Sequence, residues 1–91
     1  MSVSKKVTVL NKDGIHARPS ALIVESARGF ECTINFYKNG QCGNAANMLD
    51  LMVLAMAYGE EVEIVCDGEN ENQALEKMCE LFSTEFNFKR E

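Results

Sequence analysis

Apolar and polar residues along this chain switch between a period of two and a period of three to four, and the breaks fall on turn-forming residues. Val3, Val7 and Val9 around Lys5, Lys6 and Thr8 predict a strand of about eight residues, closed by Asn11-Lys12-Asp13-Gly14. Ala17, Ala21, Leu22, Val24 and Ala27 then recur at helical spacing, with Gly29 at the position where a helix C′ residue is wanted. Cys32, Ile34 and Phe36 alternate with Thr33, Asn35 and Tyr37 as a second strand. Asn39-Gly40 is a strong hairpin signal, so a third strand, Gln41 to Ala45 and weakened by Gly43, pairs antiparallel with the second.

Asn47 is placed to cap a second helix carrying Met48, Leu49, Leu51, Met52, Val53, Leu54 and Ala55, with Asp50 in its first turn and Gly59 ending it. Val62, Ile64 and Cys66 alternate with Glu61 and Glu63 as a fourth strand, closed by Asp67-Gly68. Asn70 with Gln73 has the pattern of a capping box opening a third helix, whose expected buried stripe is Ala74, Leu75, Met78, Cys79, Leu81, Phe82 and Phe86. The order β-α-β-β-α-β-α predicts an α+β fold, an open-faced sandwich in which three helices pack on one face of a four-stranded, mainly antiparallel sheet. With no linker, repeat or low-complexity stretch, residues 1–91 are expected to form one domain.

Composition narrows the function classes. Hydrophobic residues at 46% and charged residues at 25% are those of a globular domain. No run approaches the roughly 20 apolar residues of a membrane span, and Met1 to Lys6 lead straight into a strand with no secretory pattern, so a soluble cytoplasmic protein without membrane insertion is expected. A net charge of −5 and a pI of about 4.8 disfavour nucleic acid, which needs a basic patch. The charge is uneven: up to Ala46, six basic side chains (Lys5, Lys6, Lys12, Arg18, Arg28, Lys38) face three acidic ones (Asp13, Glu25, Glu31), leaving +3, and the remainder carries −8. An anionic partner is therefore expected at the first half. Cys32, Cys42, Cys66 and Cys79 lack C-x-x-C spacing and nearby histidines, so no metal site is expected. All four fall on apolar strand or helix positions and are expected to be reduced core cysteines.

Candidate chemistry lies in Gly14-Ile15-His16-Ala17-Arg18-Pro19-Ser20, where the first loop becomes the first helix. The chain's single histidine is here. Helix N-terminal amides lack partners within the helix and sit at its positive dipole end, so a phosphate brought there meets preformed donors. A histidine near neutral pH can offer an unprotonated ring nitrogen to phosphorus and later release the phosphoryl group. The Arg18 guanidinium can bind phosphate oxygens through two donors, and Pro19 suits a first helical turn. Because a residue before proline resists helical angles, either His16 or Arg18 can be the N-cap. On these residues alone, His16 reads either as a phosphorylation site or as a capping or surface residue.

The run Gly14 to Ser20 resembles the phosphohistidine loop of the HPr phosphocarriers of the phosphoenolpyruvate-dependent sugar phosphotransferase system. The resemblance extends over the chain through its length, its element order, Asn47 opening helix two and the Asp67-Gly68 turn. It implies a carrier that is itself covalently phosphorylated rather than an independent enzyme. His16 would take a phosphoryl group on Nδ1 from enzyme I and pass it to a IIA domain, without a cofactor. Arg18 would offset charge, and the backbone amides of Ala17 and Arg18 would bind phosphate.

The same resemblance assigns partner docking to Ala17 and Ala21 with Met48, Leu49, Met52 and Val53, a flexible apolar surface suited to several partners, and transient docking argues for a monomer. Two departures stand out. Asn47 occupies the position where many relatives carry a regulatory serine, so that switch is expected to be absent, and Asp50 stands where sugar-pathway carriers commonly have a basic residue. The start Asn11-Lys12 and the ending Leu81-Phe82 with Phe86 are similar to NPr, the carrier of the nitrogen-related chain. A further alternative is a non-transferring regulatory module of the same fold. Such modules lack the histidine that this chain keeps.

Overall fold

A computed structural model describes residues 2–83. Its elements run β1 (Ser2–Thr8), α1 (Ala17–Ala27), β2 (Cys32–Lys38), β3 (Gln41–Asn44), α2 (Met48–Leu54), β4 (Glu61–Gly68) and α3 (Glu71–Ser83). The strands form one antiparallel sheet in the order β1-β4-β2-β3, the open-faced sandwich expected from the alternation of periods. Asn39 (φ 50°) and Gly40 (φ 80°) both take left-handed conformations at the β2–β3 turn, as the tight hairpin geometry requires.

Period-two alternation decides which strand residues meet the helices. Ile34 and Phe36 of β2 and Val62, Ile64 and Cys66 of β4 are buried on the covered face, while Glu61, Thr33, Tyr37 and Asp67 are exposed. At the edge, Val3 and Val7 of β1 are only half-buried, and Lys5, which shares their face and pairs with Ile64, stays exposed. Helix α3 contributes Ala74, Met78 and Phe82, and the Phe82 ring meets Phe36 edge-on with centroids 5.3 Å apart and planes at 89°, a favoured aromatic geometry. Phe86 lies outside the described residues.

Several expectations need correction. The buried stripe of α1 is Ser20, Ile23, Val24 and Ala27 (with Pro19), so Leu22 of the apolar series is exposed, whereas Ala17 and Ala21 are exposed as a docking role requires. A polar residue heads the stripe, and this displaces an apolar count by part of a turn. Gly29 does not take a left-handed conformation. Instead Gly29 and Phe30 donate to the carbonyls of Ser26 (3.1 Å) and Ala27 (3.2 Å), tightening the last turn into three-residue spacing. Helix α2 ends before Gly59, at Ala55, itself left-handed at φ 50°, ψ 56°.

At α3, Asn70 Oδ1 accepts the Glu31 amide at 3.0 Å and Asn70 Nδ2 donates to Gln73 Oε1 at 3.3 Å. The reciprocal side-chain-to-backbone bonds of a capping box are thus replaced by a tie to the α1–β2 turn. The cysteines are all unbridged thiols, but Cys42 is exposed. Gly43 is the residue of β3 that faces inward, and alternation turns Cys42 outward.

Candidate functional site

The loop after β1 is held by its backbone. Val9 is fully buried and exchanges hydrogen bonds with the α2–β4 connection: its amide donates to the Glu60 carbonyl and its carbonyl accepts from Gly59, both at 2.9 Å. Asn11 is buried and donates from Nδ2 to the Gly14 carbonyl at 2.6 Å, while the Gly14 amide donates back to the Asn11 carbonyl at 2.8 Å. Gly14 is left-handed at φ 74°, and a Cβ there would lie 2.8 Å from the Met56 carbonyl oxygen. Glycine is required on both counts. The next residue, Ile15, is buried and donates its amide to that same Met56 carbonyl at 2.7 Å.

His16 is the N-cap of α1, with extended backbone at φ −91°, ψ −159° and no side-chain capping bond. Its carbonyl accepts the Ser20 amide at 2.9 Å, the first rung of the helix. The imidazole, half-exposed, is therefore not engaged in closing the helix end. Arg18 lies within the first turn and Pro19 is buried behind it, which settles the choice between His16 and Arg18 as cap. Ala17 and Arg18 carry first-turn amides, which a helix does not satisfy from within its own ladder. No acidic residue stands in that turn, so the positive end of the helix dipole is not offset from within the helix. Ser20 Oγ donates back to the Ile15 carbonyl at 3.4 Å, so the polar head of the buried stripe also fastens the loop.

Beside His16 opens a hollow of about 520 Å³ bordered by Lys12, Met52, Ala55, Met56 and Tyr58. Of the expected docking residues, Ala17, Ala21, Leu49, Met52 and Val53 are exposed, Leu49 by 70% and Val53 by 66%. Met48 departs from the expectation: it is half-buried and packs against the core. Tyr58, 60% exposed, and Lys12 were not expected at the rim. Tyr58 follows α2 in an irregular segment where no periodicity marks it. Among the described residues, no group of three or more His, Cys, Asp or Glu side chains is arranged to hold a metal ion, and no helix is long and apolar enough to cross a membrane.

At the start of α2, Asn47 Oδ1 accepts the Asp50 amide at 3.0 Å, the expected cap. Asp50 Oδ2 in turn accepts the Asn44 amide at 2.9 Å. Its carboxylate is thus engaged with the end of β3, and its negative charge is held beside the helix N-terminus, where the dipole favours it.

The family profile described as the phosphorylation site of the PTS HPr component matches residues 3–84. Similar proteins include the HPr-like protein Crh of Bacillus subtilis, 42% identical over 77 residues, which cover 85% of this chain and 91% of that protein. The phosphocarrier protein HPr of Treponema pallidum is 39% identical over 84 residues, covering 92% and 96% respectively. Among solved structures, HPr from Bacillus anthracis superposes with a TM-score of 0.86 at 34% identity, covering 89% of this chain and 96% of that one.

Proposed function

This chain belongs to the HPr family, and on that premise we propose that it accepts a phosphoryl group on His16 from phosphorylated enzyme I and passes it to IIA domains of sugar transporters. The supporting observation is the placement of the imidazole at an N-cap whose side chain makes no capping bond, ahead of a first turn free of acidic residues. As the donor's phosphorus–nitrogen bond breaks, His16 Nδ1 forms the new one. Transfer to the IIA domain reverses the step and restores the neutral imidazole. In-line exchange between two such nitrogens depends on positioning and charge compensation. In this reading Arg18 and the first-turn amides of Ala17 and Arg18 supply the second, and no cofactor enters.

Docking in this reading uses Ala17, Ala21, Leu49, Met52 and Val53. Residues 1–91 act as a single, monomeric, cytoplasmic carrier domain. The alternatives are the carrier of the nitrogen-related chain and a regulatory module of the same fold that does not transfer phosphate. Intact mass after incubation with phosphoenolpyruvate and either a sugar-type or a nitrogen-type enzyme I distinguishes them. An acid-labile gain of about 80 Da, one phosphoryl group on a nucleophilic side chain, supports the carrier, and the faster donor names the branch. No gain with either donor leaves the regulatory module.

A further inference from the structure

The connection between α2 and β4 carries the Met56 carbonyl that anchors the His16 loop, yet its own backbone begins in an unfavourable conformation. Ala55 is left-handed at φ 50°, ψ 56°, a region in which a Cβ crowds the following carbonyl and which persists only where surrounding contacts fix it. Two side chains supply those contacts. Lys38, the last residue of β2, is only 10% exposed, and its Nζ donates to the Ala55 carbonyl at 2.9 Å and to Glu60 Oε1 at 3.0 Å. The same Glu60 Oε1 accepts the Ala57 amide at 2.7 Å, while the Glu60 amide donates to the Ala57 carbonyl at 3.0 Å. The bridge is thus gripped on both sides of Met56.

We propose that Lys38 and Glu60 are positioning residues for phosphoryl transfer, a staple that fixes the Ala55–Ala57 turn so that the Met56 carbonyl holds Gly14 and Ile15, and through them His16, in register with the start of α1. The role rests on the carrier reading of His16. Neither side chain borders the imidazole; both act through the turn. The route is short and consists of named contacts: Lys38 to Ala55, Glu60 to Ala57, Met56 to Ile15 at 2.7 Å, and Ile15 to His16 along the chain. Close packing leaves this route little slack, since the Met56 carbonyl oxygen lies only 2.8 Å from where a Cβ on Gly14 would be. The Ala57 amide and the Lys38 ammonium hold the Glu60 carboxyl below its ordinary range, as expected for a carboxylate with two donors on one oxygen. A shift of the loop moves the nucleophilic nitrogen relative to the helix amides, to which transfer rates are sensitive.

The test combines backbone exchange with transfer kinetics in Lys38→Met, Lys38→Arg and Glu60→Ala. In Lys38→Met the Ile15 amide is expected to exchange with solvent about tenfold faster, while the Ala74 amide of α3 keeps its wild-type rate. The maximal rate of phosphoryl acceptance from enzyme I is expected to fall about three- to tenfold with KM unchanged, because the docking side chains of α2 are untouched, and Lys38→Arg is expected to recover most of it. Unchanged Ile15 exchange overturns the staple. So does an increase matched by Ala74, which marks general destabilisation, and so does faster Ile15 exchange with an unaltered maximal rate. If Lys38→Met does not fold, Glu60→Ala, which removes the oxygen shared by the Ala57 amide and the Lys38 ammonium, serves for the same comparisons. Should the wild-type protein take no phosphoryl group, the carrier reading fails and with it the role in transfer, whereas the Ile15 exchange rates still show whether the contacts hold the loop.

Discussion

The amide of Ile15 and the carbonyl of Met56 meet at 2.7 Å, joining the residue before the histidine to the residue that follows the left-handed end of α2. Together with the bonds of Val9 to Gly59 and Glu60, it ties two segments far apart in sequence. It sets the first prediction: Gly14→Ala places a Cβ against the same carbonyl in a backbone region that alanine avoids. The expected loss is about 2 kcal/mol or more of stability, seen as a melting temperature lower by roughly 10 °C. Phosphoryl acceptance at a temperature where the variant is folded should fall as well.

Replacing His16 with Ala is expected to abolish phosphoryl acceptance and to leave the fold intact. The side chain makes no capping bond and is half-exposed, so its removal should cost at most about 1 kcal/mol. Intact mass with enzyme I and phosphoenolpyruvate, paired with a thermal melt, checks both halves. Cooperative loss of structure would mean that His16 holds the helix end instead.

Asn47→Ala removes the acceptor for the Asp50 amide and is expected to cost about 1 kcal/mol, the usual worth of an N-cap. Asn47→Ser, which keeps an acceptor, should stay within a few tenths of wild type in a urea titration. A helix as short as α2 depends on its cap and packing more than on its own propensity.

Burial pushes the Cys66 thiol up to about 12 from an ordinary value of 9.0, with the neighbouring Cys32 and Cys79 adding to the effect. The native state favours the neutral thiol, so its contribution to stability is complete below pH 9 and is lost as the pH rises from there toward 12. Cys66→Ala should therefore show a flatter stability curve on the alkaline side. At pH 8, iodoacetamide should modify Cys42 first, because it is exposed, and reach Cys66 only on unfolding.

Phe82→Ala removes one partner of the edge-on pair with Phe36 and leaves a cavity between α3 and the sheet. The expected cost is about 3 to 5 kcal/mol, readable as an earlier denaturant midpoint with little change in slope.

Elements whose geometry is set by neighbours in sequence were legible from the chain. The β2–β3 hairpin follows from Asn39-Gly40, because few other residue pairs accept two consecutive left-handed conformations. The alternation of Val62, Ile64 and Cys66 likewise gives the covered face of β4. What misled was polarity at a buried site and conformation fixed from a distance. Ser20 heads the inward stripe of α1 because its hydroxyl finds the Ile15 carbonyl, and no count of apolar residues includes it. Ala55 ends α2 because Lys38 holds its carbonyl, whereas a reading of local preference passes over alanine and waits for Gly59. In the candidate site, the prominence of His16, Arg18 and Pro19 was visible in the sequence. Met56 and Tyr58 were not, since their place beside the histidine comes from the packing of α2 against the loop.

The strand order β1-β4-β2-β3 bears on how the chain acquires its structure during synthesis. The last strand to be made lies between the first and the second, so β1 emerges with no neighbour and waits until residues 61–68 are available. Only the β2–β3 hairpin can pair early. The loop bearing His16, which leans on the Ala55–Ala57 turn next to that final strand, should thus take shape among the last parts of the molecule. A nascent chain halted before Glu61 should leave β1 open to proteases while β2 and β3 are already joined.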